Sequence, residues 1–308
     1  MLKIKKNIPL IDQHDKNGFW GGKFGGNFIP ETLKKPILDL ENLFFKLRNN
    51  KSFIRDRDKY FKDWVGSPTR FIKLQNLSEY LNGAQIWAKV VSDANGGAHK
   101  IYNATVHCLI AKKAGKKYIV GDTGAGYAGK MLSMAAKKFG LKCKIFMGAK
   151  DIKRQKPNCD AIKKNGAEII PVYTGSQTLV DAVSECMRYW VSNCDTTHMC
   201  VGSTVGPNIF VKICGWSTAQ ISRELKKQLI SNFRKMPKKI KLINLIFCGI
   251  FLNSCLICIF NSLEICAVLH PQIFTNIFGP TVLPTHMCVV SQFDTQYLIH
   301  SLTASTKV

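Results

Sequence analysis

Residues 118–130 read YIVGDTGAGYAGK, and this stretch decides the fold class. The β-favouring residues 118–120 are followed by the glycine-rich run 124–129, and a helix is predicted over 131–138, ending at Gly140. A strand, a glycine-rich turn and a helix in this order are typical of α/β proteins. Backbone amides at the start of such a helix are placed to face an anionic ligand.

The same alternation of strands and helices continues on both sides of this stretch. Further strands are predicted over 86–91, 143–147, 168–173 and 198–201. Further helices are predicted over 103–113, 154–164 and 178–191. Because helices separate the strands, the pattern predicts a parallel sheet with right-handed crossovers and helices on both faces. Ligands bind such sheets at the carboxyl ends of the strands.

A lysine lies at one predicted strand-to-helix junction, in the sequence GGAHK at 96–100. Pyridoxal-phosphate chemistry requires a lysine that holds the aldehyde as a Schiff base, amides that cradle the phosphate, and donors for the substrate carboxylate. Most lysines beside glycines are simply exposed. These five residues alone therefore leave both interpretations of Lys100 open.

Several other motifs accompany GGAHK in a definite order. They are GGNFIPET at 25–32, VGSPT at 65–69, TGAG at 123–126, MGAKD at 147–151 and GSTVGP at 202–207. Together they resemble the β chain of tryptophan synthase over about residues 18–237. The resemblance implies the α/β architecture of fold-type II pyridoxal-phosphate enzymes, with parallel sheets flanked by helices and with the second domain incomplete in this chain.

The function that the resemblance implies is a lyase reaction of tryptophan biosynthesis. The hydroxyl of L-serine is replaced by indole to give L-tryptophan, with pyridoxal 5'-phosphate as the cofactor. Lys100 would bind the cofactor, remove the α-proton of serine and return it. Asp122 occupies the position of the family's glutamate, which acts as an acid and base on the leaving hydroxyl.

The resemblance also assigns binding residues. His99 matches the histidine that contacts the cofactor phosphate, and Ser203 lies where the family places a small hydroxyl residue near the cofactor. The loop that grips the substrate carboxylate is matched by Thr123, Gly124, Ala125 and Gly126. No metal site is expected.

The domain organisation and partners follow from the same resemblance. The expected parts are an extension over 1–17, the catalytic region over 18–237 and an unrelated tail over 238–308. Within the catalytic region, 66–85 and 203–237 would belong to a partial second domain and 116–202 to a mobile subdomain. The implied partners are a tryptophan synthase α chain and a second β chain in a homodimer. With no secretory signal recognised at the N-terminus, a cytoplasmic location is expected.

The sequence departs from the family pattern near the expected site. Asp122 is one methylene shorter than glutamate, and Tyr102 replaces an asparagine that contacts the cofactor. Tyr127 and Ala128 stand where the family has Gln-His, which removes two polar contacts. The family's second glycine-rich loop, Gly-Gly-Gly-Ser-Asn, supplies most of its phosphate-binding amides and does not occur after residue 237. Weak binding of the cofactor phosphate is therefore expected.

Composition argues against a nucleic-acid-binding site and against a zinc site. The net charge is +24, but the basic residues are 36 lysines against 8 arginines, and few aromatic residues are interleaved with them. Nucleic-acid grooves favour arginine forks and stacked aromatic rings, so no nucleic-acid partner is expected. The 12 cysteines are scattered, and the single CxxC pair at 255–258 has no second pair at zinc spacing.

The apolar run 242–260 leaves the function of this chain open. It reads LINLIFCGIFLNSCLICIF and follows lysines 235, 238, 239 and 241, which is the pattern of a membrane helix with a positive flank. Alternatively, a divergent tail has replaced the family's C-terminal part. The sequence is therefore compatible with a working enzyme, with an inactive relic or defective gene product, and with a membrane-associated binding protein.

Overall fold

The computed structural model describes residues 12–20, 24–27, 29, 31–80, 82, 85–202, 207–233, 240–241 and 255–260. The described residues form two compact units. The first comprises those in Met1–Thr69 and Ser92–Lys235, and the second those in Arg70–Val91 and Met236–Val308.

The regular elements of the described residues are as follows. The helices are α1 (Lys34–Arg48), α2 (Lys51–Tyr60), α3 (Gln75–Tyr80), α4 (Lys100–Lys113), α5 (Tyr127–Phe139), α6 (Ala149–Arg154), α7 (Lys156–Lys164), α8 (Leu179–Asn193) and α9 (Asn208–Phe233). The strands are β1 (Phe19–Trp20), β2 (Phe24–Gly25), β3 (Phe71–Lys73), β4 (Ile86–Val90), β5 (Tyr118–Thr123), β6 (Lys142–Gly148), β7 (Glu168–Val172), β8 (Thr197–Cys200), β9 (Ile240–Lys241) and β10 (Cys255–Phe260). A π-helical turn, Phe61–Val65, follows α2.

The first unit is built on a parallel sheet with the strand order β7-β6-β5-β8. The chain runs outward from β5 to β6 and β7 and then returns to β8 on the other side of β5. The strand order therefore reverses between β5 and β8, and the carboxyl ends of strands at such a reversal are where open α/β sheets bind ligands. This arrangement confirms the predicted α/β fold with a parallel sheet flanked by helices.

The reversal of strand order also determines the helix layers. Right-handed crossovers place α5 and α7 on one face of the sheet and α8 on the other. Helix α4 packs against α5 and β8 and also contacts α9, so it lies between the sheet and the long helix. All eleven residues from Ile101 to Ala111 are buried. A helix that is buried on every side belongs to the core.

Three polar side chains of this buried helix have hydrogen-bond partners. The Asn103 Nδ2 donates to the Val201 carbonyl at 3.2 Å, and the Ser217 hydroxyl donates to the Asn103 Oδ1 at 3.3 Å. The Thr105 hydroxyl donates to the carbonyl one turn earlier at 2.6 Å. His107 and His198 share a hydrogen bond of 2.8 Å between Nδ1 and Nε2. Because unpaired buried polar groups are costly, these bonds determine how α4 sits against β8 and α9.

The second unit contains an antiparallel sheet with the order β3-β4-β10-β9. Strand β10 pairs with β4 in the register Cys255 to Val90 and Ile259 to Ile86. The last six residues of the apolar run 242–260 therefore form a strand, and the helical alternative is wrong for them. Residues 242–254 lie outside the described residues. Across the described part of the chain, no helix has both the length and the apolar character needed to cross a membrane.

Two predicted elements differ from the observed ones. The strand predicted over 86–91 exists as β4, but its assignment to the parallel sheet is wrong, since β4 pairs antiparallel with β3 and β10 in the second unit. The residue pattern identifies a strand without identifying its partners. The second difference is a divided helix. The helix predicted over 154–164 is observed as α6 and α7, which meet at Gln155. Pro157 lies in the first turn of α7, where its missing N–H has no intrahelical role, so the chain starts a new helix there. Helices α1, α2 and α9 were not predicted.

The His107–His198 pair predicts that acid destabilises the protein. Burial lowers the pKa of both imidazoles, so between pH 6.5 and the folded-state values the unfolded chain binds more protons. The stabilising contribution is complete above pH 6.5 and is lost as the pH falls. We expect the free energy of unfolding to decrease below pH 6.5 by up to about 1.4 kcal/mol per pH unit for each histidine.

Urea unfolding between pH 5 and 8 measures this dependence. His107→Gln, which keeps polar groups but cannot bind a proton, should make the slope shallower. His14→Gln, at a partly exposed histidine, serves as the control and should leave the slope unchanged. An identical slope in the His107 variant would contradict the assignment.

Candidate active site

The candidate site lies at the reversal of strand order in the first unit. Asp122 and Thr123 are the last residues of β5, and the loop Gly124-Ala125-Gly126 leads directly into α5. Lys100 is the first residue of α4, which packs against α5. The structure thus brings Lys100 and the loop after β5 to one part of the first unit. Ser203 lies outside the described residues.

The turn before Lys100 requires its two glycines. Gly96 and Gly97 both have φ near +84°, a left-handed conformation that other residues adopt only with strain. A Cβ on Gly96 would lie 2.5 Å from the Met131 Sδ, and one on Gly97 would lie 3.0 Å from the Tyr127 hydroxyl oxygen. The GGAHK turn therefore packs directly against the first turns of α5.

Lys100 and Asp122 share an electrostatic environment. Burial raises the pKa of the Asp122 carboxyl, while its own backbone amide and the positive charge of Lys100 oppose that rise. The charge of Lys100 also reaches Cys214 of α9, where burial raises the pKa of the thiol. A carboxyl whose pKa is raised by burial and influenced by a specific charged partner is a candidate functional group.

His99 is neutral at neutral pH. Burial, together with the nearby positive charge of Lys100, lowers the pKa of His99 to about 4. The imidazole can therefore offer a phosphate one hydrogen bond and no positive charge. Weak binding of the cofactor phosphate stays a prediction.

The loop after β5 is held in place by its neighbours. The Thr123 hydroxyl accepts a hydrogen bond from the Gly129 N–H at 3.3 Å, and the Asn158 Nδ2 donates to the Ala125 carbonyl at 2.8 Å. Gly126, with φ of +80°, is the N-cap of α5 and makes no side-chain cap bond. The first amides of a helix lack intrahelical acceptors, so this end of α5 suits a carboxylate.

Tyr102 does not replace the family asparagine as a cofactor contact. Its ring is fully buried and packs edge-on against Phe61 at 5.0 Å. Burial and the charge of Glu224 raise the pKa of its phenol. The side chain therefore belongs to the core between α4, the π-helical turn and α9.

Glu224 is an organising residue that the sequence did not reveal. This buried carboxylate accepts hydrogen bonds from the Ser67 hydroxyl and, at 3.2 Å, from the Thr69 N–H. The Gln228 Nε2 donates to the Thr69 carbonyl at 2.8 Å. These bonds hold the VGSPT segment against α9, and no local signal connects residues 155 positions apart.

Comparison with known proteins agrees with this geometry. Residues 65–225 match the family described as pyridoxal-phosphate dependent enzyme. The tryptophan synthase beta chain of Bacillus pumilus (strain SAFR-032) is 40% identical over 219 residues, which cover 71% of this chain and 55% of that relative. The corresponding chain of Bacillus subtilis (strain 168) is 39% identical with the same coverage. The chain thus spans about half the length of the curated relatives it matches.

A solved structure gives a more distant likeness. The apo form of diaminopropionate ammonia lyase from Escherichia coli has a TM-score of 0.46 and 16% identity, covering 68% of this chain and 57% of that one. A likeness at this level is no argument about function. The sequence relatives, in contrast, confirm the resemblance that the motifs indicated and the cofactor expected from it.

The packing of Gly126 predicts that alanine substitutions at the two ends of α5 lower the free energy of unfolding by different amounts. A Cβ on Gly126 would lie 2.6 Å from the Asn158 Cβ, whereas one on Gly140, at the other end of the helix, would meet no described atom within 4 Å. Both glycines have positive φ. Gly140→Ala should therefore cost about 1 kcal/mol of unfolding free energy from backbone strain alone, and Gly126→Ala about 2–4 kcal/mol.

Equilibrium urea unfolding of the two variants measures the difference. Equal costs would show that the loop is not packed against α7 as described.

Proposed function

Because this chain belongs to the family of pyridoxal-phosphate dependent enzymes, we propose that Lys100 holds pyridoxal phosphate and that the site replaces the hydroxyl of L-serine with indole to give L-tryptophan. The observation that carries the proposal is that the charge of Lys100 acts on the Asp122 carboxyl, which lies at the end of β5 just before the loop that leads into α5. The 40% identity to a protein named tryptophan synthase beta chain supports the choice of reaction.

The residues present fit the aldehyde end of the cofactor. The Lys100 amine lies at the start of a helix whose next eleven residues are buried, beside a carboxyl and a neutral imidazole. When bound, pyridoxal phosphate supplies an electron sink for charge that develops at the substrate α-carbon. His99 and the N-terminus of α4 would contact its phosphate, and Ser203 remains part of the proposal as a residue outside the described ones.

Lys100 and Asp122 would divide the proton transfers between them. The Lys100 amine takes the α-proton of the substrate and later returns it, as the position of this lysine at the helix start allows. The Asp122 carboxyl would give a proton to the leaving hydroxyl, and burial raises its pKa in the direction that this role needs. The Asp122 carboxyl has a shorter reach than glutamate, which reduces the rate if the oxygen of the substrate lies too far away.

The start of α5 would orient the substrate. The first amides of α5 would bind the substrate carboxylate, beside the Thr123 hydroxyl that accepts from the Gly129 N–H. Gly124 allows close packing against Leu179 of α8, where a Cβ would lie 3.2 Å from the leucine Cβ. Gly126 and Ala125 belong to the same loop, which Asn158 holds through a carbonyl hydrogen bond. A carboxylate held there would leave the α-carbon near the Lys100 amine.

The partners, the domain division and the location of this chain are also proposed. We propose an α-chain partner and a homodimer because the matched relatives are named as one chain of a synthase. The division into a catalytic region over 18–237, with a mobile subdomain over 116–202, is proposed on the family pattern. The cytoplasmic location and membrane contact through 242–260 remain predictions.

Binding of pyridoxal phosphate through Lys100 is tested by absorbance. The full chain titrated with the cofactor should show a saturable visible band of low affinity, because the second phosphate loop of the family is missing from the sequence. Lys100→Ala should remove the band. Lys112→Ala, near the other end of α4, is the matched control and should keep it. A band that survives Lys100→Ala would rule out the assignment, and tight stoichiometric binding would show that the missing loop is unimportant.

The role of Asp122 is tested by two substitutions in the cofactor-loaded chain. Asp122→Glu should preserve or increase formation of tryptophan from serine and indole, since it restores the reach of the family residue. Asp122→Asn should lower the rate by about 100-fold or more, because an amide does not exchange the required proton. Asp160→Asn, on the surface of α7, is the control. Equal rates for Asp122→Glu and Asp122→Asn would refute an acid and base role.

A further inference from the structure

We propose that Tyr127 is a positioning residue that joins the substrate-carboxylate end of α5 to the turn that presents Lys100. The effect on catalysis rests on the proposed function. The contact between the two segments does not depend on that function and can be tested by itself. In the sequence, Tyr127 counts as a lost polar contact, because the family has glutamine there. The structure gives its phenol a different partner.

The junction consists of one hydrogen bond and two close packing contacts. The Tyr127 hydroxyl donates to the Gly96 carbonyl at 2.6 Å, across 31 residues of sequence. The same hydroxyl oxygen would lie 3.0 Å from a Cβ on Gly97. One helical turn further along α5, Met131 lies against Gly96. The first two turns of α5 therefore hold the glycine turn from one side.

The positions of Tyr127 and Gly96 in the chain explain how the bond between them would affect the site. Tyr127 is the first residue of α5 and directly follows the N-cap Gly126, so its backbone amide is among those proposed to bind the substrate carboxylate. Gly96 lies four residues before Lys100 in a turn that ends at the helix start. A bond between the two therefore sets the separation between the carboxylate-binding amides and the lysine amine before substrate arrives. Such preorganisation reduces the entropy lost on binding.

The Tyr127 phenol can donate its hydrogen bond throughout the physiological pH range. The side chain is half-buried, and burial raises its pKa, so it stays protonated and can donate across the physiological range. Lys130, in the first turn of the same helix, places its Nζ 5.3 Å from the ring centroid. This contact holds the ring from its face while the hydroxyl reaches the carbonyl. Phenylalanine would keep the ring contacts and lose only the junction.

The first test needs no cofactor. Amide hydrogen exchange of the full chain is compared with that of Tyr127→Phe and of Tyr118→Phe. Tyr118, at the start of β5, is a matched phenol away from the turn. In Tyr127→Phe, exchange should become about three- to tenfold faster in both segments, 96–101 and 125–130, because one net hydrogen bond is lost. The Tyr118 variant should match the unmodified chain.

Faster exchange in only one segment, or in neither, overturns the junction. Faster exchange throughout the chain also overturns it, since that pattern shows a general loss of stability.

The second test uses the cofactor-loaded chain and L-serine. Tyr127→Phe should raise the KM for L-serine about three- to tenfold, while kcat at saturating serine changes by less than about twofold. A fall in kcat with unchanged KM overturns a positioning role. If the unmodified chain does not act on serine, the proposed function fails, and the exchange experiment alone decides whether the junction exists.

Discussion

The burial of helix α4 is the constraint on which the rest of the first unit depends. Eleven consecutive residues after Lys100 are inside the protein, including Asn103, Thr105 and His107. Side chains of α4 bond to His198 of β8, to the Val201 carbonyl just after it, to Ser217 of α9 and to the helix itself. A shift of α4 would therefore break several buried hydrogen bonds together. The position of the Lys100 amine is therefore determined by core packing far from any ligand.

The same burial produces the electrostatic properties of the site. Removal of water raises the pKa of Asp122 and lowers that of His99, and the charge of Lys100 modifies both values. Desolvation acts here on groups that the proposed chemistry would use, and it shifts each of them towards its uncharged form. A neutral imidazole gives an anionic ligand less electrostatic attraction than a charged one.

The two tyrosines that differ from the family pattern near the site, Tyr102 and Tyr127, both make close contacts in the first unit. Tyr102 replaces a polar residue but fills a core space against Phe61, and Tyr127 replaces glutamine but hydrogen bonds to Gly96. Tyr102 packs against an aromatic ring, and Tyr127 packs beside a glycine turn that has no side chains in its way. The departures from the family pattern therefore change particular contacts and leave the α/β framework of the first unit intact.

The sequence by itself determined the fold class and the order of strands and helices over residues 86–201, and it predicted Lys100 and the loop after β5 as site residues. These follow from local periodicity, glycine positions and motif order, which are properties of neighbouring residues. Only the tertiary structure decided that Glu224 meets Ser67, that Tyr127 meets Gly96, and that six residues of the apolar run 242–260 pair with β4 as a strand. Such contacts join distant parts of the chain, and the pKa shifts arise from burial by those distant parts, so no local pattern could reveal them.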